Sequence, residues 1–432
     1  MTLKKEARLG RMNGEIRSLA KLENVEAEFV RKKIVSGQII IIKNKYRKKT
    51  RIVGIGEGLT TKVNANIGTA IDFCNSSYEL EKAKVAVKYG ADAIMDLSTA
   101  GDLDKIRKTL LKKITAPLGT VPIYQAAIEA IKKHGTLADM TEDDIIGTVE
   151  SHAKDGVDFM TIHAGITKQV TDRLKKSSRT TGIVSRGGVF LTSWMLHHNK
   201  ENPFHKNFDY ILEIAKKYDF SISLGDALRP GCIADASDWF QFQELLTMSK
   251  LVERCWTDDI QVMVEGPGHL PLDHIETNVI LEKKLCKGAP FYILGPIVTD
   301  IGIGYDHIVG AIGGALAASA GADFLCYVTP SEHLSLPMID DVRDGVIASK
   351  IAGHCADLVK IKNNALKKDF KMAKARANLD WNTQYKLSIN PERAKSTRER
   401  VKVKTEACSM CGDYCVYNIL STKNRNANKY DD

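Results

Sequence analysis

The chain has 432 residues, 44% of them hydrophobic and 27% charged, which is typical of a globular protein with one large domain and appendages or with two or three ordinary domains. It contains no run of eighteen apolar residues and begins with a charged segment, so the sequence predicts neither a transmembrane helix nor a signal peptide. We therefore expect a cytoplasmic protein. The net charge of +9 is spread along the chain with one dense basic run, residues 43–51, so we expect a solvated surface and no nucleic-acid partner.

Residues 1–51 are predicted to form a polar helical segment, because Ile16, Leu19, Ala20 and Leu22 are spaced for one helix face. From residue 52 to 360, short apolar runs alternate with helical segments, which is typical of a parallel sheet. The candidate strands are 62–68, 93–98, 119–124, 159–164, 182–187, 221–226, 261–266, 292–297 and 324–329. These are nine runs and a (β/α)8 barrel needs eight, so we expect one of them to be an extra strand or an extended loop.

Nearly every candidate strand ends in a polar residue. These residues are Asn66, Asp96, Ser98, Tyr124, His163, Ser185, Arg186, Asp226, Glu265 and Thr329. Polar side chains at the carboxyl ends of many strands describe the mouth of a (β/α)8 barrel, whereas an open doubly wound sheet would concentrate them at one switch point. The sequence therefore predicts an α/β fold with a (β/α)8 catalytic barrel over residues 52–360.

Residues 361–420 are predicted to form a charged helical arm, interrupted at Pro391, and the polar tail 421–432 is expected to be disordered. Near its end the arm carries the run Cys408-Ser-Met-Cys411-Gly-Asp-Tyr-Cys415. Because this run lies outside the barrel sequence, the arm must fold back over a barrel mouth, of its own subunit or of a partner, to take part in chemistry there.

The spacing of Cys408, Cys411 and Cys415 favours a [4Fe–4S] cluster held by three thiolates. Three cysteine ligands leave one iron free for a small molecule, the arrangement that radical chemistry on S-adenosylmethionine requires. A zinc knuckle that borrows a distant histidine and an incidental group of thiols are the alternatives. The other cysteines show no pairing pattern and are expected to be buried thiols in a reducing compartment: Cys74, Cys232, Cys255, Cys286, Cys326 and Cys355.

Two histidines follow candidate strands, His269 in Glu265-Gly-Pro-Gly-His269 and His333 in Pro330-Ser-Glu-His333. They could share a divalent metal, with Glu265 or Glu332 nearby, or each could be a hydrogen-bonded structural residue. Ser185-Arg186-Gly187 and Asp226-Ala-Leu-Arg229 each place a guanidinium at a strand end, suited either to phosphate capture or to an Arg–Asp pair that supports the barrel rim.

Taken together, these residues resemble the phosphomethylpyrimidine synthase family, the radical S-adenosylmethionine enzymes that make the pyrimidine of thiamine. The matching stretches run in order from about residue 50 to 416. They are 62–68, 95–98, 119–124, 162–165, 185–188, 224–226, 229–231, 265–269, 304–307, 326–330 and the cysteine run. The chain resembles the short form of the family, which lacks an extra N-terminal domain.

The resemblance implies a cluster arm on a (β/α)8 barrel, a homodimer, an external electron donor, and the substrate 5-aminoimidazole ribotide. It implies that Cys408, Cys411, Cys415 and Glu265 are catalytic, that the three cysteines bind the cluster, and that His269 and His333 bind zinc. The substrate-binding residues implied by the family are Asn66, Met95, Tyr124, His163, Ser185, Arg186, Gly187, Asp226, Ala227, Leu228, Arg229, Glu265 and Tyr292.

Two segments depart from the family pattern near the expected substrate site. Thr60 stands where members usually carry Arg, and the loop 300–307 reads Asp-Ile-Gly-Ile-Gly-Tyr-Asp-His instead of Asp-Ile-Ala-Pro-Gly-Tyr-Asp-His. These departures favour the related 5-hydroxybenzimidazole synthases of anaerobic cobalamin lower-ligand biosynthesis, which act on the same ribotide. The alternatives are the thiamine pyrimidine phosphate as product and, from a different class, a zinc-dependent barrel hydrolase with structural cysteines.

Overall fold

The computed structural model describes residues 1–175, 177–401 and 406–419, so the tail 421–432 that was expected to be disordered lies outside the described residues. The chain divides into two compact units, Met1–Lys360 and Ile361–Asp432. Within the described ranges, no helix combines the length and the apolar character needed to cross a bilayer.

The first unit begins with a small helical layer that also contains a β-hairpin. Helices α1 (Leu3–Arg8), α2 (Gly14–Glu23) and α3 (Ala27–Ser36) precede strands β1 (Ile39–Ile41) and β2 (Gly54–Gly56), which pair antiparallel. The hairpin spans residue 51, the boundary at which the sequence analysis separated a purely helical segment from the barrel. The Gln261 side chain accepts a hydrogen bond from the Ile41 amide at 2.7 Å and donates one to the Ile41 carbonyl at 3.1 Å, which fixes β1 to the barrel.

Eight parallel strands of the described chain close into a barrel in the order β10-β3-β4-β5-β6-β7-β8-β9. They are β3 (Lys62–Ile67), β4 (Ala93–Asp96), β5 (Leu118–Thr120), β6 (Phe159–Ile162), β7 (Ser221–Leu224), β8 (Val262–Gly266), β9 (Phe291–Leu294) and β10 (Phe324–Cys326). Phe324 pairs with Lys62 on one side and Tyr292 on the other, which closes the ring. The strands are largely apolar because helices cover their outer faces and side chains fill the barrel interior. The predicted (β/α)8 barrel is confirmed.

The helices alternate with the strands, as the sequence pattern predicted. In the first unit they are α4 (Ser76–Lys88), α5 (Leu103–Lys113), α6 (Pro122–His134), α7 (Glu142–Asp155), α8 (Lys168–Leu174), α9 (Arg186–His198), α10 (Pro203–Lys206), α11 (Phe208–Tyr218), α12 (Trp239–Thr257), α13 (Leu272–Leu285), α14 (Asp306–Ala320) and α15 (Ile339–Lys360), with 3-10 turns at Leu137–Asp139 and Ile233–Asp235. The second unit contains α16 (Lys362–Ala377), α17 (Trp381–Leu387), α18 (Pro391–Glu399) and a 3-10 turn at Gly412–Tyr414. Pro391 occupies the first turn of α18, where its missing N–H removes no helical hydrogen bond.

The ninth candidate strand, residues 182–187, is a loop that leads into helix α9. Gly182 has a φ of +65°, and the Ser185 side chain accepts a hydrogen bond from the Gly188 amide, which makes Ser185 the N-cap of α9. Val184 is 40% exposed, so this apolar-looking run does not enter the barrel wall. The expectation that one of nine runs would be an extended loop is therefore met.

The scattered cysteines are only partly buried, contrary to the sequence-based expectation. Cys255, Cys286 and Cys326 are buried, whereas Cys74 and Cys355 are exposed and Cys232 is half-buried. Cys74 lies in the loop before α4, and Cys355 lies on helix α15. The sequence around these two cysteines does not show that their thiols face solvent.

Candidate active site

Two adjoining cavities open at the carboxyl ends of the barrel strands. The first, the inner chamber, has a volume of about 490 Å³. Eight residues predicted to bind substrate line it: Asn66, Met95, Tyr124, His163, Asp226, Arg229, Glu265 and Tyr292. The second, the outer chamber, has a volume of about 1320 Å³ and includes Arg186, Glu332 and His333. The chambers share Asn66, Leu97, Tyr124, Arg229 and Leu294. Their mixture of apolar and polar side chains is typical of small-molecule sites.

Buried acidic groups surround Arg229 in the inner chamber. Arg229 Nη1 lies 3.0 Å from Asp226 Oδ1, so the Arg–Asp pair considered from the sequence is formed. Burial raises the pKa of Asp226 to about 7, although the nearby guanidinium favours its ionised form. Asp226 Oδ2 is buried and has no hydrogen-bond partner among the described residues. A carboxyl group in this state can both hold a proton at neutral pH and accept a contact from a ligand.

Glu265 is oriented by two hydroxyl groups from neighbouring strands. Thr161 Oγ1 and Ser223 Oγ each donate a hydrogen bond of 2.7 Å to Glu265 Oε1. Burial raises the pKa of Glu265 despite these hydrogen bonds. Thr161 and Ser223 were not predicted as site residues, although Thr161 stands two positions before His163 and therefore faces the same side of the chain.

Ala227 and Leu228, predicted to contact substrate, do not line either chamber. Their backbone amides donate hydrogen bonds of 2.9 and 2.7 Å to the carboxylate of Glu244, a buried residue of helix α12. Burial raises the pKa of Glu244 to about 8. Glu244 thus holds the turn that carries Asp226 and Arg229. No strand-end pattern could have identified it, because it reaches the turn from a helix outside the barrel.

His163 is a neutral imidazole packed against the N-terminus of helix α9. Burial lowers its pKa to about 3, and its Nε2 lies 3.2 Å from Ser185 Oγ. A Cβ on Gly187 would lie 2.4 Å from His163 Cε1, so this position requires glycine. Arg186 lies over the Tyr124 ring, with its guanidinium carbon 5.2 Å from the ring centroid. The start of α9 thus offers backbone N–H groups and a guanidinium beside the chambers, which suits an anionic group.

A second hydrogen-bond chain runs along strands β3, β9 and β10. Asn64 Nδ2 donates to the Tyr292 hydroxyl and to Asn66 Oδ1, both at 2.8 Å, and Asn66 Nδ2 donates to Cys326 Sγ at 3.1 Å. Burial raises the pKa of Cys326 to about 12, so this thiol stays protonated. Asn64 and Cys326 were not predicted as site residues. Asn64 shares the inward face with Asn66, because the two are separated by the strand period of two.

His269 and His333 lie side by side, with ring centroids 5.3 Å apart. His269 Nδ1 is 2.8 Å from Asp300 Oδ1, and His333 Nδ1 is 3.8 Å from Asp306 Oδ1. A carboxylate at Nδ1 leaves Nε2 of the ring available, as in histidines that bind metals. In the described part of the chain, no three His, Cys, Asp or Glu side chains are arranged to hold a metal ion. The pair therefore offers two nitrogen donors to which other ligands would have to be added.

The three cysteines of the predicted cluster lie in one tight turn of the second unit. The Cys411 amide donates to the Cys408 carbonyl at 3.2 Å, and the Cys415 amide donates to the Gly412 carbonyl at 3.3 Å. Backbone amides of Cys411 and Met410 lower the pKa of the Cys408 thiol, whereas the hydrogen bond with Cys408 raises the pKa of the Cys411 thiol. Three thiols within eight residues are suitable donors for an iron–sulfur cluster, although in the described structure they are not arranged to hold a metal ion together.

The sequence profile of the radical SAM ThiC family matches residues 2–422. A phosphomethylpyrimidine synthase of Dehalococcoides mccartyi is 56% identical over 419 residues, which cover 97% of each chain. The enzyme of that name from Methanocaldococcus jannaschii is 55% identical over 416 residues, 96% of this chain and 97% of that one. The corresponding protein of Desulforamulus reducens is 53% identical over 422 residues, 98% of each chain. All three relatives carry the name phosphomethylpyrimidine synthase, so the comparisons do not support the preference for 5-hydroxybenzimidazole that the departures from the family pattern suggested.

Proposed function

This chain belongs to the radical SAM ThiC family, and we propose that it is a radical lyase that converts 5-aminoimidazole ribotide into the pyrimidine phosphate of thiamine. The chemistry of this family requires a [4Fe–4S] cluster and S-adenosylmethionine. The observation that carries the product assignment is the identity of 53–56% with pyrimidine synthases along almost the whole chain. The inner chamber supports the same substrate class, since its buried carboxyl cluster lies beside a helix N-terminus suited to an anionic group.

Cys408, Cys411 and Cys415 would hold the cluster. When bound, the cluster supplies one electron for the cleavage of S-adenosylmethionine that starts the radical reaction. The protein's own part is to bind the ribotide and keep its fragments in place. We assign the phosphate to the start of α9 around Ser185, Arg186 and Gly187.

The polar groups of the inner chamber would bind the ring and sugar of the ribotide. Asp226 Oδ2 and His163 Nδ1 are both buried without a hydrogen-bond partner in the described chain, so each can pair with a ligand. Glu265, fixed by Thr161 and Ser223, would hold or release a proton beside the reacting ring. Asn66, Met95 and Tyr292 complete the walls that exclude water.

The histidine pair supports a divalent metal at the edge of the outer chamber. His269 and His333 would bind it through Nε2, because Nδ1 of each faces a carboxylate. We propose zinc, the metal expected from the family resemblance. Bound there, it would polarise an oxygen or nitrogen atom of a ligand in the outer chamber.

A homodimer is part of the proposal. Helix α14 exposes Ile308, Ile312 and Leu316, which follow one another at the i, i+4 spacing of a single helix face and are 45–50% exposed. An apolar row of this kind on a folded surface is typical of an interface between chains. We propose that α14 packs against a second copy.

The test is anaerobic turnover of the reconstituted enzyme with aminoimidazole ribotide, S-adenosylmethionine and a reductant, followed by mass analysis. We expect 5′-deoxyadenosine together with the thiamine pyrimidine phosphate. Formation of 5-hydroxybenzimidazole instead would overturn the product assignment. Failure to form 5′-deoxyadenosine in the presence of an intact cluster would overturn the activity itself.

A further inference from the structure

The net charge of the chain is concentrated in the unit that carries the cysteine turn. Residues 361–432 contain 16 Lys and Arg against 8 Asp and Glu, a net charge of +8. The chain as a whole carries +9, so residues 1–360 contribute only +1. This distribution corrects the expectation of an even spread. A charge asymmetry of this size indicates an anionic partner for the smaller unit.

Helix α16 presents part of this charge on one face. Lys367, Phe370, Lys371 and Lys374 follow the i, i+3, i+4, i+7 spacing of a single stripe, and all four are exposed. Phe370 is 63% exposed, and Lys374 Nζ lies 4.7 Å from its ring centroid. We call these four residues the α16 stripe. The α16 stripe thus combines an aromatic ring, a residue type enriched at the centre of protein interfaces, with three cations that suit an acidic partner.

Contacts within the second unit link its helices to the cysteine turn. Helix α16 packs on α17, and α17 packs on α18. Trp381 Nε1 of α17 donates a hydrogen bond of 2.8 Å to the carbonyl of Glu406, two residues before Cys408. Arg398 of α18 lies over the Trp381 ring at 4.1 Å and contacts the carbonyls of Glu406 and Ala407. The α16 stripe and the proposed cluster ligands therefore belong to one folded unit.

We propose that the α16 stripe docks an acidic electron-transfer protein that reduces the cluster by one electron at a time. This inference rests on the proposed function, in which each turnover begins with an electron from outside the enzyme. The donor loses one electron and the cluster gains it, so the step balances without a further reactant. Complementary charge accelerates such encounters, and electron-transfer complexes commonly bury small, transient interfaces that one helix face can supply.

A nucleic-acid partner is disfavoured by the same surface. Proteins that bind single strands use several aromatic rings in series, whereas the α16 stripe contains one, Phe370. Electron delivery, in contrast, gives a reason for the charge to reside in the unit that holds the cysteines. Binding of nucleic acid is therefore treated as the competing outcome of the experiment.

The experiment compares two triple charge reversals in the full-length, anaerobically reconstituted enzyme. One variant carries Lys367→Glu, Lys371→Glu and Lys374→Glu in α16, and the control carries Lys105→Glu, Lys112→Glu and Lys113→Glu on the exposed surface of α5. Reduced flavodoxin, an acidic protein, serves as one electron donor, and dithionite serves as the other. Binding of flavodoxin is also measured directly by fluorescence at 50 and 300 mM salt.

We expect the α16 variant to weaken flavodoxin binding and to raise the KM for flavodoxin by roughly tenfold or more at low salt, while dithionite-driven formation of 5′-deoxyadenosine stays unchanged. The α5 control should match the unmodified enzyme with both donors. Higher salt should weaken flavodoxin binding to the unmodified enzyme and have little effect on the variant.

Equal flavodoxin binding by the two variants would overturn the docking proposal. So would tighter binding of a DNA duplex or a single-stranded RNA than of flavodoxin to the same stripe. If the unmodified enzyme forms no 5′-deoxyadenosine with dithionite, the proposed function is overturned. The direct measurement of flavodoxin binding would still show whether the α16 stripe docks the donor. If the triple variant does not fold, Phe370→Ala replaces it, with reduced flavodoxin affinity and an unchanged salt dependence as the expected result.

Discussion

At the scale of single residues, the site depends on how buried carboxyl groups are arranged around Arg229. Burial raises the pKa of Asp226, Glu244 and Glu265. Arg229 favours the ionised forms of Asp226 and Glu265, and Arg179 favours the ionised form of Glu244. Because burial disfavours the ionised form of each group and raises the pKa of Glu244 to about 8, the three carboxyl groups retain at least one proton at neutral pH. Asp226 and Glu265 face the chamber, and Glu244 acts on them through the backbone.

We predict that Glu244→Gln impairs catalysis without removing any group that touches substrate. The amide can accept only one of the two hydrogen bonds from Ala227 and Leu228, and its NH2 group faces the other N–H. The displaced turn should lower kcat/KM for the ribotide roughly 10- to 100-fold. Steady-state kinetics and calorimetric ribotide binding measure the effect.

Glu282→Gln is the matched control for that variant. Glu282 is equally buried on an outer helix, α13, and burial raises its pKa to about 8, but it does not line either chamber. Its replacement should leave kcat/KM unchanged. Equal losses in the two variants would mean that Glu244 only contributes to general stability. Restoration of binding by Glu244→Asp would support the positioning role.

The pH dependence of stability should also change in the Glu282 variant. The pKa of Glu282 is about 8 in the folded chain, against an ordinary value of 4.5. Between these pH values the folded chain holds a proton that the unfolded chain releases, so the free energy of unfolding decreases as pH rises. Glu282→Gln should remove a contribution on the order of 3 kcal/mol between pH 5 and 8. Denaturant unfolding at the two pH values checks this, and an identical decrease in both proteins would contradict it.

At the scale of elements, the sequence predicted the eight barrel strands because each is a short apolar run followed by a polar residue. It also predicted a strand at 182–187, since Ile183 and Val184 favour extended structure, but the positive φ of Gly182 and the N-cap at Ser185 make this segment a loop. The polar residues within the strands were not predicted as site residues, because a sequence alone does not show which face of a strand points inward. Glu244 was not predicted as a site residue, because its contact with the backbone amides of Ala227 and Leu228 depends on how helix α12 packs on the barrel.

The hydrogen bonds around the cysteine turn lead to a prediction about the retention of the cluster. Arg398→Ala removes both the ring contact with Trp381 and the contacts with the carbonyls of Glu406 and Ala407. The cysteines remain, but the segment that leads to Cys408 loses its support. Release of iron to a chelator should become at least about tenfold faster.

Iron release is followed by absorbance together with the EPR signal of the reduced cluster. Arg393→Ala, an exposed position of the same helix, is the control and should retain iron like the unmodified enzyme. If both variants keep iron equally well, the contacts of Arg398 do not support the ligand turn. Trp381→Phe keeps an aromatic ring and loses the N–H donor, so it should give an intermediate rate.

At the scale of the whole molecule, the sequence supported the family and the architecture, whereas the features that depend on surfaces became visible only in three dimensions. The apolar row on α14 is an example, because the sequence does not show which face of that helix packs in the fold and which face stays exposed. We predict that Ile312→Lys weakens self-association by at least about tenfold, since it places a charge in the middle of the row.

Sedimentation velocity at several concentrations measures this change. Leu246→Lys on α12 is the control, because Leu246 is 41% exposed and lies outside the row. The control should associate like the unmodified enzyme. A monomeric unmodified enzyme, or equal association of both variants, would show that α14 does not form the dimer contact.

The wall common to the two chambers has a thermodynamic consequence. Asn66, Leu97, Tyr124, Arg229 and Leu294 would touch a ligand on either side, so filling one chamber changes the surroundings that the other offers. By linkage, if a ligand in one chamber changes the affinity of the other chamber for its ligand by some factor, the second ligand changes the affinity for the first by the same factor. The dissociation constants of a ribotide analogue and of a second ligand in the outer chamber, each measured with and without the other, should therefore change by the same factor.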